Sequence, residues 1–347
     1  MSHPLLSVRR MRQASLPLKP LLVVTVLLAA VPMQDAMACA SCGCTLSKDW
    51  LGPQAGSVSG WSVGMSYDYI NQNTYRIGTD KISQTQAQAI LNPGINPPGS
   101  VPGNEVELQT ATRTTTLQAD YAGEDWGVSI QVPFVDKYHT TLSDGTLAGY
   151  DQSQYNTLGD IKIIGKYAGW SEDNSSGITV GVQLPTGQTH ENFGISGNPI
   201  DPSLQPGTGA TSLILGGFTS GMVGKLGWFT QGTWQHTVSN NYGYTPGTAV
   251  IVNAGVRYAE MGQRVVPMLQ VNLVHRNSDS GVNASYSGVD GSPLTGGNLA
   301  YLAPGVAATL GKGVSAYGYV QIPVYENVHG VQLAPRYILS LGLRKNF

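Results

Sequence analysis

The chain ends in Arg336-Tyr337-Ile338-Leu339-Ser340-Leu341-Gly342-Leu343-Arg344-Lys345-Asn346-Phe347. Read as an extended segment, it puts Tyr337, Leu339, Leu341 and Leu343 on one face and Arg336, Ser340, Gly342 and Arg344 on the other, because successive strand side chains point to opposite sides. A helix would set Leu339 and Leu341 about 200° apart. The alternation therefore predicts a final strand that is apolar on one face only.

The same rhythm recurs upstream. Trp61, Val63, Met65, Tyr67 and Tyr69 oppose Ser62, Gly64, Ser66 and Asp68; Val250, Val252, Ala254, Val256 and Tyr258 oppose Asn253, Gly255 and Arg257; Trp228 and Trp234 lie opposite Gln231, Thr233 and Gln235. Placing strands by this rule gives about twelve, near 60–71, 105–121, 126–137, 157–169, 177–184, 210–222, 225–238, 247–258, 263–277, 297–310, 314–323 and 333–347. Between them, short connections (122–125, 259–262, 311–313) alternate with long Pro-, Gly- and Asn-rich ones (72–104, 138–156, 185–209, 278–296). That sorting is expected of an outer-membrane barrel, which turns tightly at its periplasmic rim and loops widely outside. The fold class that follows is all-β: a transmembrane antiparallel up-and-down β-barrel with both termini periplasmic.

Composition agrees. With 44 Gly, 12% charged residues and mean hydropathy near zero, the chain has no run suited to a bundle of membrane helices, each needing about 20 apolar residues. Net charge −2 offers no electrostatic footprint for nucleic acid.

The N-terminus reads as an export signal: Arg9, Arg10, Arg12 and Lys19, then the apolar Leu21 to Val31, then Ala36-Met37-Ala38. Cleavage before Cys39 gives a signal peptide over 1–38, a periplasmic cysteine-containing segment over 39–59 and a barrel over 60–347; cleavage after Ala40 is equally legal, and a lipid on Cys39 has only a poor lipobox. Localisation in the outer membrane of a Gram-negative bacterium follows, with outer-membrane lipid as surroundings. The terminal Phe347 with Leu339, Leu341 and Leu343 is similar to the signal that the outer-membrane assembly machinery reads.

Two sets of residues could carry chemistry. Cys39, Cys42 and Cys44 are the only cysteines; C-x-x-C-x-C can bind a soft metal through thiolates or form a disulfide in an oxidising compartment. Haem attachment would need His after the second cysteine, where Gly43 stands. The second set is polar and falls on the predicted lumen face: Asp68, Asp120, Gln131, Lys162, Lys166, Gln183, Arg257, Gln270, Arg276, Gln321 and Arg336, with Arg344. Charge on the lipid face would cost about 2–4 kcal/mol at the midplane, so these groups belong inside. Gln131-Val132-Pro133, Gln183-Leu184-Pro185 and Gln321-Ile322-Pro323 each read as the end of an outward strand, since proline lacks a ladder donor. His139, His190 and His329 fall in the expected outer loops, and no nucleophile with a base, no zinc spacing and no cofactor motif is present.

Gly159-Asp160 with Lys166-Tyr167, Gly181-Val182-Gln183-Leu184-Pro185-Thr186-Gly187, and Gln205-Pro206-Gly207-Thr208-Gly209 resemble motifs of the outer-membrane family named after the meta pathway of phenol degradation. The resemblance covers roughly residues 159–238 and implies a barrel related to outer-membrane transport channels. Sequence thus predicts a porin-like, non-enzymatic barrel that passes small solutes, hydrophobic or aromatic ones included. The alternatives are a barrel anchoring a periplasmic cysteine-rich metal or redox segment, and a structural surface protein.

Overall fold

The structure is a computed structural model and describes residues 59–92, 105–142, 149–171, 173–241, 243–258, 264–281 and 294–347, all within the compact unit Ala36–Phe347. The export signal and Cys39, Cys42 and Cys44 lie outside the described residues.

The strands are β1 (Gly60–Gly78), β2 (Asp80–Lys81), β3 (Val106–Ala122), β4 (Trp126–Leu142), β5 (Asp151–Leu158), β6 (Lys162–Tyr167), β7 (Ser176–Gln183), β8 (Ala210–Val223), β9 (Leu226–Asn240), β10 (Ala249–Tyr258), β11 (Val265–Arg276), β12 (Gly297–Gly311) and β13 (Val314–Asn346). They form one antiparallel sheet in sequence order, closed by β13 on β1 from Ser62↔Asn346 to Gly78↔Val328. Closure leaves no strand edge facing lipid, which is what lets a sheet span a membrane. β1, β3, β4 and β6 to β13 make eleven ring members. β13, however, turns back at Gly330 (φ +50°), so one limb pairs with β12 and the other with β1. Asn346 N–H donates to Gly313 O at 2.9 Å across that hairpin, and the wall has twelve staves.

Several staves run further than alternation predicts. β1 continues to Gly78, β4 to Leu142, and β13 has a tight turn in place of a loop over 324–332. Proline is the reason the ends are hard to read. Pro133 sits inside β4, and the neighbouring stave breaks opposite it: Phe134 pairs with Leu158 of β5, Gln131 with Lys162 of β6, and residues 159–161 form no ladder there. A proline without a donor is tolerated where its partner strand is interrupted. Pro323 and Pro335 stand at register shifts, where a bulge removes the same demand.

The segment between β1 and β3, expected to be loop, contains α1 (Gln84–Leu91). Ser83 and Gln86 cap it reciprocally, and Ala87 and Leu91 pack on Tyr75, Val106, Val331 and Leu333.

The barrel's outer face is apolar and exposed: Val63, Met65, Leu117, Ile130, Val180, Leu269, Ile322, Leu341 and Leu343 are all open. At the short-turn end Trp61, Tyr121 and Trp126 meet in series as tilted pairs at 5.1 and 5.4 Å, and Tyr167 meets Trp170 edge-on at 5.5 Å. Aromatic rings of this kind mark a lipid–water boundary. Further along the same outer face, Arg113 pairs with Asp136 (3.3 Å) beside Tyr69 (5.9 Å to the ring). Phe347 N–H donates to Trp61 O at 2.9 Å, so the C-terminus and the start of β1 meet at the short-turn end.

Candidate functional site

The inward face is organised in layers along the barrel axis. Nearest the short turns, Asp120 accepts from Arg344 (3.1 Å), Ser62 (3.2 Å) and Gln118 (2.8 Å), a network across three adjacent staves. Above it lies a belt of carboxamides and hydroxyls. Asn253, Gln270, Asn272, Gln321 and Ser340 are buried, as is Asp68, and Gln235 donates to Gln183 at 3.0 Å. Next comes an apolar patch of Ile70, Val274, Leu299, Tyr301, Val328 and Ile338, with Ile251 against it.

Of the residues that alternation assigns to the interior, Asp68, Gln183, Gln270 and Gln321 are buried, while Asp120, Gln131, Lys162, Lys166, Arg257 and Arg276 are half-buried. Lys162 and Lys166 flank Ile164, out of phase with the exposed Ile163 and Tyr167. Arg276 is held by Asp279 at 3.1 Å. Arg336 behaves differently: it is exposed, next to the exposed Tyr337, while Ile338 and Ser340 are buried. A register shift between Ile70 and Gln72 sets two β13 residues against one of β1, and the extra residue carries Arg336 out of the alternation.

At the long-loop end, residues 184–209, which connect β7 to β8, fold onto the inner side of the wall. Their neck is a knot around Asp160. Its Oδ1 accepts from Gly187 N–H (3.0 Å), and its Oδ2 accepts from Thr208 N–H (2.9 Å), Thr208 Oγ1 (2.6 Å) and Gln183 Nε2 (3.0 Å). Thr186 Oγ1 accepts from Ile161 N–H and donates to Gly159 O. The two sides of the neck touch backbone to backbone: a Cβ on Gly207 would lie 2.4 Å from the Gly187 carbonyl, and one on Gly187 would lie 2.6 Å from Gly207 Cα. Only glycine permits that approach. Of the motif residues noted above, Gly159-Asp160, the end of 181–187 and the end of 205–209 thus meet at one place, while Lys166-Tyr167 lies on β6.

From this neck the loop folds onto inward-facing side chains of β4 and β5. Phe193, Ile200 and Leu204 pack on Tyr155 and Val135. Leu204 O accepts from Lys137 Nζ (2.9 Å) and from Tyr155 OH. A single 3-10 turn, Pro202–Leu204, is capped by Asp201, which accepts from Ser203 N–H at 2.6 Å. The protein around Asp201 pushes its carboxyl well above the usual carboxylate range by desolvation. Beside the loop, His139 is fully buried, its Nδ1 2.8 Å from Thr110 Oγ1, its Nε2 3.0 Å from Glu105 Oε1, and its ring 5.9 Å from Phe193. His139 therefore belongs to β4 and not to a solvated loop, and His329 lies within β13; His190 is in the 184–209 loop as expected. Among the described residues no cluster of three His, Cys, Asp or Glu is arranged to hold a metal ion.

No protein-family model matches the chain, and no curated protein matches it. Solved structures do. An outer membrane channel from Pseudomonas putida F1 aligns over 83% of this chain and 96% of its own length with a TM-score of 0.54 at 11% identity. A FadL homologue of Pseudomonas aeruginosa aligns over 91% and 99% (TM-score 0.41, 9% identity), and the Ralstonia pickettii toluene transporter TbuX over 89% and 97% (TM-score 0.43, 10% identity). At such identities the first of these likenesses speaks for architecture alone: the chain folds as an outer-membrane-type antiparallel β-barrel.

Proposed function

We propose that this protein is an outer-membrane channel for small solutes with apolar bodies, hydrophobic and aromatic compounds included, and has no enzymatic role. The observation that carries the reading is the layered interior: an apolar patch below a tethered loop, then a carboxamide belt, then a charged rim, all inside a closed wall whose outer face is apolar. A barrel serving only as an anchor has no need of a loop tied by three bonds to one carboxylate in its own mouth. The convergence of the three motif segments at Asp160 supports kinship with the outer-membrane family of the phenol meta pathway, whose motifs they resemble. The interior set of Asp68, Asp120, Gln131, Lys162, Lys166, Gln183, Arg257, Gln270, Arg276 and Gln321 lines the path.

In this reading the short-turn end and both termini face the periplasm, Phe347 with Leu339, Leu341 and Leu343 engages the assembly machinery, and residues 39–59 form a periplasmic tether. Planar-bilayer recording of refolded protein tests the proposal. Discrete conductance steps, interrupted when small aromatic or aliphatic solutes are added, support it. A silent barrel that stays silent after the 184–209 loop is excised contradicts it.

A further inference from the structure

Near the mouth, the interior holds a group of buried polar atoms that have no hydrogen-bond partner among the described residues. Arg76 of β1 pairs across the ladder with Gln332, and Glu326, on the other limb of the β13 hairpin, reaches Arg76 with Oε2 2.6 Å from Nη2. The Glu326 side chain is 3% exposed. Its other oxygen, Oε1, has no hydrogen-bond partner among the described residues, and the same holds for Arg76 Nε, Gln332 Oε1 and Thr74 Oγ1. Thr74 lies two residues before Arg76 on the same face of β1. Buried polar atoms are nearly always satisfied, and an isolated exception is expensive; four on neighbouring staves mark a place where a partner from outside the chain fits.

The chemistry of that partner follows from the four atoms and their surroundings. Arg76 and Glu326 cancel in charge, so an ion would be taken from water without compensation, and a neutral molecule is favoured. Glu326 Oε1 and Gln332 Oε1 accept, Arg76 Nε donates, and the Thr74 hydroxyl does either. A hydroxyl group, one donor with two lone pairs, serves three of the four at once, donating to either Glu326 or Gln332 and accepting from Arg76 Nε and the Thr74 hydroxyl. Beneath it lies an apolar surface: Glu326 pairs with Leu299 across β12–β13, Val328 follows it on the same face, and both belong to the cluster with Ile70, Val274, Tyr301 and Ile338. We infer that this corner of the barrel is a binding site for small neutral alcohols, the hydroxyl held by Thr74, Arg76, Glu326 and Gln332 and the apolar body resting on Leu299 and Val328. The inference deepens the channel reading by naming a solute class for it.

Fluorine NMR titration of the refolded full-length mature chain in micelles tests the site, with 4-fluorobenzyl alcohol and 4-fluorotoluene as probes and empty micelles as the blank. The alcohol should bind saturably, and Thr74→Val and Glu326→Gln should each weaken it about tenfold while leaving 4-fluorotoluene within about twofold of wild type. Thr74→Val removes a hydroxyl that has no partner, so the variant should fold at least as well as wild type; heat-modifiable gel migration verifies this. Equal binding of the two probes by wild type, or an unchanged alcohol affinity in folded Thr74→Val and Glu326→Gln, overturns the inference. Binding at equilibrium is read apart from passage: a barrel that prefers the alcohol but never conducts contradicts only the channel, and one that conducts without the preference contradicts only the site.

Discussion

Replacing Asp160 by Asn should free the neck of the 184–209 loop while leaving the barrel closed. The carboxylate takes four hydrogen bonds, one on Oδ1 and three on Oδ2. An amide in the better of its two orientations keeps oxygen at the Oδ2 position and turns its NH2 toward Gly187 N–H, so one bond becomes a donor–donor contact. The three retained bonds also lose their charge assistance, which roughly halves each. Taking hydrogen bonds to charged groups at about 1.5–3 kcal/mol, the lost bond from Gly187 and the two weakened ones from Thr208 together cost the docked loop about 3–6 kcal/mol. At 1.4 kcal/mol per decade this raises the open population of the loop by about 100- to 10,000-fold. Chymotrypsin cleavage after Phe193, buried when the loop is docked, reads that population directly, because cleavage of a transiently opened segment follows the opening equilibrium when reclosing is fast. Asp160 lies at the break between β5 and β6 and pairs in no ladder, so the variant should still migrate as a folded barrel on unheated gels. If cleavage after Phe193 stays within about threefold of wild type in such folded protein, Asp160 is not what holds the loop.

Other perturbations probe the remaining parts of the structure. Asp201 has a raised carboxyl pKa when the loop is docked, so docking is strongest at low pH and weakens as pH rises from about 3.8 through the folded value; chymotrypsin sensitivity of the loop should climb over that window in wild type and stay flat in Asp201→Asn. Gly207→Val should open the neck without removing any hydrogen-bonding side chain, since its Cβ would meet the Gly187 backbone, and the same proteolysis should report it as faster cleavage. On the outer face, Val180→Arg places a charge midway along β7 and should lower the stability of the folded barrel by about 2–4 kcal/mol in denaturant titrations, an effect absent if this face does not meet lipid. Deleting Phe347 should sharply reduce the heat-modifiable species in cell envelopes; unchanged levels would remove the C-terminal residue from the assembly signal.

Alternation made the barrel legible because a period of two survives wherever one face meets lipid and the other does not. The strands around Val63, Val180 and Leu341 carry that period cleanly. It fails where the wall leaves regular geometry. Nothing in the residues around Arg336 signals the bulge at which it becomes exposed, because a single extra residue is invisible to a pattern that restarts in phase on either side. Pro133 suggests a strand end, yet β4 passes through it, since the missing donor faces a break in the neighbouring stave and not a ladder; His139, six residues on, is consequently a buried strand residue. The knot at Asp160 joins segments 23 and 48 positions apart, a distance over which local pattern carries no information. The motifs did mark its members, and Gly187 and Gly207 give the physical reason such residues would be fixed there. The buried corner of Thr74, Arg76, Glu326 and Gln332 left no trace in the sequence, as it arises from the turn of β13 at Gly330.

Passage is the central claim, and flux into proteoliposomes measures it most directly. Radiolabelled benzyl alcohol, the fluorine-free parent of the alcohol probe, should enter vesicles carrying wild-type protein faster than protein-free vesicles of the same lipid, and faster still with Asp160→Asn, whose loop is released. Influx equal to that of protein-free vesicles, for both wild type and Asp160→Asn with folded barrels verified in the same preparation, would contradict a channel.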